Sequence, residues 1–270
     1  MTKCNLHTHT PLCDGKTSPE DMINAAIEKG FDALGFSGHS YTSIDPSYCM
    51  AQDMLDEYEN TVKTLRSKYS DRISIYYGLE KDYYADPDSH SYDYTIGSVH
   101  YVCKDGVYRE VDHTAKIAQE TVAEYYDGNV YAYCEDYFAT IADVKLKTGC
   151  DIVGHFDLVK KFNINGCMFD DSHHRYRNAA LSAAQVLLEQ DAIFELNTSG
   201  AQPGKCGEMY PADFILKEIQ AKGGRVILSS DCHNKDYLDF GFDIAIQKLS
   251  SLGFGSITVI KGGKFVQEKI

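Results

Sequence analysis

The chain has 270 residues, of which 43% are hydrophobic and 24% are charged, and it carries a formal net charge of −14 with an isoelectric point near 5.1. This composition is typical of a globular protein with a sizeable core, and the acidic balance argues against binding to duplex nucleic acid, which depends on a basic surface. No stretch approaches the roughly 18 apolar residues of a membrane span, and the first residues lack the apolar core of a signal peptide. We therefore expect a cytoplasmic protein with neither a nucleic-acid nor a membrane partner.

Seven short apolar or β-branched runs recur along the chain, and each ends in polar residues that are able to bind metal ions. The runs are residues 4–9, 33–39, 73–80, 94–100, 151–157, 192–197 and 225–233. Near-continuous apolar runs are typical of strands that are covered on both faces. Helical patterns are predicted over residues 18–30, 50–69, 112–127, 130–148, 171–190, 210–224 and 242–253, and a terminal hairpin around residues 262–263.

This alternation of strands and helices predicts an α/β fold with a parallel sheet and right-handed crossovers. Seven such units in 270 residues favour one closed or nearly closed, TIM-like barrel domain over two domains. In barrels of this kind, the active site lies at the C-terminal ends of the strands. The polar ends of all seven runs are therefore expected to meet at one mouth.

The nine cysteines predict no disulfide framework. Their number is odd, their spacing is scattered, and no two of them form a C-x-x-C motif. We expect free thiols, most of them buried.

The stretch NLHTHT places His7 and His9 two residues apart at the end of the first run. In a strand, residues i and i+2 point to the same face, with Cα atoms roughly 6.5–7 Å apart. Two imidazoles at that spacing are able to reach one metal ion. A bare His-x-His is also common on a protein surface, so the pair needs support from the rest of the chain.

That support comes from the ends of the other runs. The residues concerned are His39, Glu80, His100, His155, Asp231 and His233. Six histidines converging on one mouth would repel one another when protonated and would need many partners when neutral. Metal ions resolve both problems, and this set of nitrogen and oxygen ligands suits Zn, Mn or Fe. Cys232, between two of these residues, is expected to face away from the site.

The motifs that carry these residues resemble the polymerase-and-histidinol-phosphatase (PHP) family of metallophosphoesterases. The resemblance rests on HTHT, the Asp-Gly at 14–15, SGHS, GLE, GSVH, GHFD and SSDCH, which lie between residue 5 and about residue 233. ELNTSG at 195–200 and the overall length resemble the bacterial histidinol-phosphatase branch.

The resemblance implies a distorted seven-stranded barrel, a trinuclear metal site and hydrolysis of L-histidinol phosphate in histidine biosynthesis, which is a phosphoric monoester hydrolase activity. One ion would be held by His7, His9, Glu80 and Asp231; a second by Glu80, His100 and His155; the third by Asp14, His39 and His233. Many family members have histidine at the position of Asp14, and an oxygen ligand there either shifts that site toward Mn or Fe or weakens it.

The charge of such a site is suited to a phosphate dianion. Three divalent ions, three carboxylates and one hydroxide leave a net charge of roughly +2. We expect an in-line attack by hydroxide, with no nucleophilic Ser or Cys. Glu80, Asp231 and His233 are the candidate catalytic residues, and either of the last two is able to protonate the leaving alcohol.

Cationic side chains for the phosphate are harder to assign. The histidinol-phosphatase branch tends to place arginines in loops where this chain has lysines. Candidates from the loops are Lys160, Lys161, Arg175, Arg177 and Lys205. The irregular segment 160–176 is either a lid over the mouth or an ordinary long loop.

Three other functions remain open. The first is another PHP phosphoesterase acting on a nucleotide, phosphotyrosine or a different small monoester. The second is a non-catalytic module, against which all nine ligand positions argue. The third is a metal amidohydrolase, which also begins with His-x-His but usually bridges its metals with a residue from a later strand than the one carrying Glu80.

Overall fold

A computed structural model of the protein describes all residues, 1–270. It contains eleven strands, of which most are short and buried. The strands are β1 Cys4–Asn5, β2 Ala33–Phe36, β3 Ser74–Asp82, β4 Tyr94–Ser98, β5 Tyr101–Lys104, β6 Val107–Glu110, β7 Ile152–Val153, β8 Ile193–Asn197, β9 Arg225–Ser229, β10 Ser256–Lys261 and β11 Lys264–Lys269.

Seven helices connect the strands. They are α1 Pro19–Glu28, α2 Leu55–Lys68, α3 Ala115–Tyr125, α4 Val130–Thr148, α5 His174–Glu189, α6 Asp213–Ala221 and α7 Phe242–Ser251. Their starts follow from local chemistry, because the side chains of Ser18, Thr114 and Asn129 cap α1, α3 and α4. All seven predicted helices are confirmed, with ends that differ by a few residues. No helix combines the length and apolar character that crossing a membrane requires.

The main sheet has nine strands in the order β1-β2-β3-β4-β7-β8-β9-β10-β11, and every pair except the last is parallel. Beyond the end of β1, Thr8 forms a parallel bridge with Cys232, which follows β9. The His9 amide donates to the Cys232 carbonyl (2.9 Å), and the Cys232 amide donates to the His7 carbonyl (3.0 Å). These bonds close the seven predicted strands into a distorted barrel, which confirms the predicted fold class.

The first strand is shorter than the sequence predicts. Regular pairing of β1 stops at Asn5, whose side-chain oxygen accepts a hydrogen bond from the His7 amide (3.1 Å). An asparagine side chain that bonds the backbone two residues ahead competes with strand pairing. The chain nevertheless stays extended enough to bridge at Thr8, so His7 and His9 still point to the same side.

Two hairpins differ from the prediction. β5 and β6 form a separate antiparallel hairpin after β4, which the apolar pattern did not indicate. The predicted terminal hairpin exists as β10 and β11, but β10 also pairs in parallel with β9.

One contiguous cluster of 67 buried residues forms the core. It is rich in aromatic side chains, including Tyr94, whose hydroxyl donates to the carbonyls of Leu6 and Phe36. Because Gly35 and Gly78 lie against the Tyr94 ring, any side chain at either position would collide with it. The tyrosine therefore ties β4 to β1 and β2 directly beneath the strand ends that carry the histidines.

Candidate metal centre

Glu80 lies at the centre of the barrel mouth and is 1% exposed. Its position near the end of β3 brings it among side chains from the segments that follow β1, β2, β4 and β7. Its two carboxylate oxygens lie within 3.6 Å of ring nitrogens of His7, His9, His39, His100 and His155. Ser98 donates a hydrogen bond to Oε1 (2.7 Å).

The His-x-His pair and Asp231 form one side of this cluster. His7 Nε2 lies 3.2 Å from Glu80 Oε2, and Asp231 Oδ1 lies 3.6 Å from His7 Nε2 and 3.3 Å from His9 Nε2. Both histidines are fully buried. The structure therefore brings together the four residues that the family resemblance assigns to a first ion.

A second side is formed by His100 and His155. His155 Nε2 lies 2.9 Å and His100 Nε2 3.6 Å from Glu80 Oε1. His39 also approaches Glu80 here, with its Nδ1 2.9 Å from Oε2. The geometry thus groups His39 with Glu80 and His100 as well as with the third set.

The third set is the most open. Asp14 lies 3.1 Å from His233 Nε2, 3.7 Å from His39 Nε2 and 3.6 Å from His9 Nδ1. His9 therefore stands between the first and third sets, a position that the sequence did not indicate. Asp14 and His233 are each 35% exposed at their side chains, so this side faces the pocket.

The side chains present fit metal ions. The mouth contains three groups of candidate ligand residues, and within each group the ligand atoms all lie within 4.8 Å of one another. The buried atoms His7 Nε2, His9 Nε2 and Glu80 Oε2 have no hydrogen-bond partner although they sit at the centre of the cluster. Unsatisfied buried polar atoms are costly in a folded protein, and ligation to a cation is a direct way to satisfy all three.

The histidines of the cluster differ in the direction in which their surroundings shift the pKa. Burial lowers the pKa of His9 to about 3, assisted by the neighbouring His233 and His39. Burial acts in the same direction on His7, but Glu195 and Glu80 overcome it and raise the pKa of His7 well above its usual value. Burial acts to raise the pKa values of Glu80 and Asp231, but His7 and the other surrounding histidines together outweigh it and hold both pKa values well below normal.

Two local backbone features hold ligands in place. Asp231 adopts φ +48°, a left-handed conformation that aspartate tolerates better than most residues and that is typical of strained functional positions. Gly15 lies so close to the preceding turn that a Cβ atom would come within 2.4 Å of the His9 carbonyl carbon. The Asp-Gly motif therefore needs its glycine to place Asp14. As predicted, Cys232 faces away, with its Sγ against Asn234 and Met22.

Two buried carboxylates contact the ligand histidines but were not among the predicted site residues. Asp82 Oδ2 lies 3.0 Å from His100 Nδ1, and Glu195 Oε1 lies 2.6 Å from His7 Nδ1. A signal for both was present in the sequence. Asp82 follows Glu80 by two residues on the same strand face, and Glu195 precedes the end of an apolar run.

A pocket of about 540 Å³ opens above the cluster. Lys161 and Lys205 line it, as does Lys16, which the sequence did not single out. Lys161 is paired with Asp112 (3.0 Å). On the wall formed by the loop after β2 and the β5–β6 hairpin, most of the lining residues are acidic or aromatic, and these are Asp45, Tyr48, Tyr101, Glu110 and Asp112.

The other three predicted phosphate ligands lie elsewhere. Lys160 is 6% exposed and is held by Asp157 (3.3 Å) and Glu208 (3.1 Å). Arg175 forms a two-pronged pair with Glu135 (2.7 and 2.6 Å) near the start of α5. Arg177 lies over the Phe214 ring, 4.7 Å from its centroid. The structure brings none of the three to the pocket lining, because each is held by contacts elsewhere in the fold.

Comparison with known proteins places these features in a family. The model of the PHP domain matches residues 5–199, a range that includes seven of the nine predicted ligands and ends before Asp231 and His233. The probable histidinol-phosphatase of Deinococcus radiodurans is 28% identical over 266 residues, covering 94% of this chain and 95% of that protein. The histidinol-phosphatase of Bacillus subtilis is 27% identical over 271 residues, covering 92% and 100%.

Two solved structures share the fold. A putative histidinol phosphatase from Listeria monocytogenes superposes with a TM-score of 0.78 at 22% identity, covering 90% of this chain and 99% of that one. Histidinol phosphate phosphatase from Lactococcus lactis, solved with zinc, L-histidinol and phosphate, superposes with a TM-score of 0.74 at 21% identity, covering 98% and 99%.

Proposed function

This chain belongs to the PHP domain family, and on that premise we propose that it is a metal-dependent phosphoric monoester hydrolase that converts L-histidinol phosphate to L-histidinol and phosphate. The observation that carries the proposal is Glu80, a buried carboxylate with ring nitrogens of five histidines within 3.6 Å. The names of the relatives from Deinococcus and Bacillus support the choice of substrate. We propose that residues 1–270 act as one domain in the cytoplasm.

Three divalent ions, zinc, manganese or iron, are proposed for this site. The first would be held by His7, His9, Glu80 and Asp231; the second by Glu80, His100 and His155; the third by Asp14, His39 and His233. When bound, such ions lower the pKa of water and neutralise charge on phosphoryl oxygens. The zinc found with the Lactococcus protein supports a divalent metal. The central position of Glu80 agrees with a bridging role for a residue of the third strand, which disfavours an amidohydrolase.

The chain's own residues orient the ester and handle the proton. Asp231 and His233 both line the pocket, and we propose that one of them gives a proton to the leaving alcohol. The lowered pKa of Asp231 and the raised pKa of His233, which burial opposes and Asp14 favours, make His233 the better donor. Ser199 donates to Asp231 Oδ2 (3.3 Å), and Asn197 Nδ2 lies 3.4 Å from the same oxygen. These contacts hold one carboxylate oxygen and leave Oδ1 directed at the histidines.

The structure changes the charge estimate for the site. Asp82 and Glu195 add two buried carboxylates within contact of the ligands, so the net charge of the loaded site falls from roughly +2 to about zero. The attraction for a phosphate dianion then depends more strongly on the rim. We propose that the positive charge at the rim comes from Lys161, Lys205 and Lys16.

The acidic and aromatic wall of the pocket suits the rest of the substrate. Histidinol phosphate carries an amine and an imidazole, and that wall presents Asp45 and Glu110 beside the rings of Tyr48 and Tyr101. Carboxylates bind ammonium groups, and aromatic faces attract cations. This arrangement favours a cationic phosphomonoester over a neutral one.

A substrate panel tests the proposal. We expect the zinc- or manganese-loaded protein to show a kcat/KM for histidinol phosphate at least about 100-fold above the values for a nucleoside monophosphate and for phosphotyrosine, a difference of about 2.7 kcal/mol in transition-state binding. A preference for either of the other esters would assign the chain to a different phosphoesterase activity. Loss of all activity with a chelator, and recovery with added metal, are expected as the control.

A further inference from the structure

Glu195 is a buried carboxylate that joins four parts of the barrel mouth. It lies on β8 and is 1% exposed. Oε1 accepts hydrogen bonds from His7 Nδ1 (2.6 Å) and from the Ser229 hydroxyl. Oε2 accepts from the His155 amide (2.6 Å) and from Asn197 Nδ2 (3.0 Å). The donors come from segments at the ends of β1, β7, β8 and β9.

This set of partners requires an ionised carboxylate. The His155 amide, the Asn197 amide group and the Ser229 hydroxyl all serve as donors, and only an unprotonated Glu195 is able to accept from all of them and from His7 as well. The protein thus keeps a negative charge directly below the proposed ions. The four hydrogen bonds to the carboxylate compensate the cost of burying its charge.

The contact with His7 determines which of its ring nitrogens is available. Glu195 accepts from Nδ1, so that nitrogen carries a proton. When the ring is neutral, as it must be to bind a cation, the free lone pair is therefore on Nε2. Nε2 is also the atom that lies 3.2 Å from Glu80 and has no hydrogen-bond partner. Carboxylates that hold the far nitrogen of a ligand histidine fix its tautomer and increase its basicity.

We propose that Glu195 is a positioning residue that fixes the tautomer and orientation of His7 and thereby tightens the ion held by His7, His9 and Asp231. The inference rests on the metal centre of the proposed function but not on the identity of the substrate. Asp82 makes the corresponding contact with His100, on the other side of Glu80.

Zinc binding to the Glu195→Gln variant tests this role. The amide keeps the size of the side chain but brings two protons into a site made of donors. We expect one of the zinc ions to bind about 10–100-fold more weakly than in the wild type, as measured by competition with a chromophoric chelator. Excess zinc is expected to restore kcat while KM for the phosphomonoester stays unchanged. Glu135→Gln, far from the pocket, is the matched control and is expected to bind zinc as the wild type does.

A measurement on the wild type tests the role of Glu195 even if the Glu195→Gln variant does not fold. Nitrogen-15 correlation spectra of the zinc-loaded protein, with His7 assigned by its loss in His7→Gln, are expected to show the proton on Nδ1. A proton on Nε2, or unchanged zinc affinity in Glu195→Gln, would overturn the role of Glu195 alone. A wild-type protein that binds no zinc, manganese or iron would overturn this inference together with the proposed function, whereas a metal-loaded protein that prefers another ester leaves the inference intact.

Discussion

Replacement of Glu80 by glutamine is the sharpest test of the metal centre. The substitution preserves the shape of the side chain and the hydrogen bond from Ser98 (2.7 Å), but it removes the charge that five histidines surround. Because Glu80 is proposed to bridge the first two ions, both should be weakened at once. A residue that contacted only one ion would give a smaller effect.

The expected size follows from the linkage between metal binding and folding. An ion present at 100 times its dissociation constant stabilises the folded state by about 2.7 kcal/mol, so two ions contribute about 5 kcal/mol. For a protein of this length, each kcal/mol corresponds to about 2–4 °C in Tm. We therefore expect zinc to raise the Tm of the wild type by about 10–20 °C more than that of Glu80→Gln.

Differential scanning calorimetry with and without zinc measures this difference, and steady-state hydrolysis measures the activity, which is expected to fall at least about 1,000-fold, or about 4 kcal/mol. Glu135→Gln makes the same chemical change in a half-buried pair with Arg175, away from the pocket, and should leave both quantities unchanged. If metal-replete Glu80→Gln kept its turnover and its full zinc-dependent Tm shift, a bridging role for Glu80 would be wrong.

Three further predictions concern separate features. Gly15→Ala places a Cβ atom 2.4 Å from backbone and is expected to lower metal content and activity, whereas Gly255→Ala, which meets nothing within 4 Å, should match the wild type. Lys161→Ala is expected to raise KM for the phosphomonoester about tenfold, or about 1.4 kcal/mol, with little change in kcat; an unchanged KM would remove this lysine from the phosphate site. Asp239 is partly buried, which disfavours its charge, but hydrogen bonds from two lysines outweigh that effect and lower its pKa. Its stabilising contribution is therefore present above the unfolded pKa near 4 and is lost as the pH falls through the folded value, so Asp239→Asn should cost about 0.5 kcal/mol at pH 7 and progressively less as the pH falls below the unfolded pKa, as measured by urea unfolding.

Much of the architecture follows from local patterns in the chain. The seven apolar runs became the seven parallel strands of the barrel because alternation of strands with helices leaves few other ways to cover both faces of a sheet. The nine predicted metal ligands lie together at the mouth because the C-terminal ends of parallel strands share one edge. The two-residue spacing of His7 and His9 predicted that both side chains point to the same side. They do so in the structure, although regular strand pairing ends before them at Asn5.

Other features depend on partners that no local pattern specifies. Arg175 and Arg177 lie in the segment after β7, close enough in sequence for the loop to reach the mouth. In the fold, however, Glu135 and Phe214 hold them on another surface. His9 stands between two ligand sets because its ring is stacked with that of His233, at 4.1 Å between centroids, far along the chain. Only the folded arrangement decides such choices.

Glu195 shows why local sequence patterns predict some features of the site and not others. Hydrophobic periodicity is a property of neighbouring residues, and it predicted that this segment is a buried strand. Its contact with His7 joins residues 188 positions apart and exists only after the barrel has closed through Thr8 and Cys232. The sequence alone was therefore sufficient to predict which residues reach the mouth, whereas the closed barrel determined which of them hold one another there.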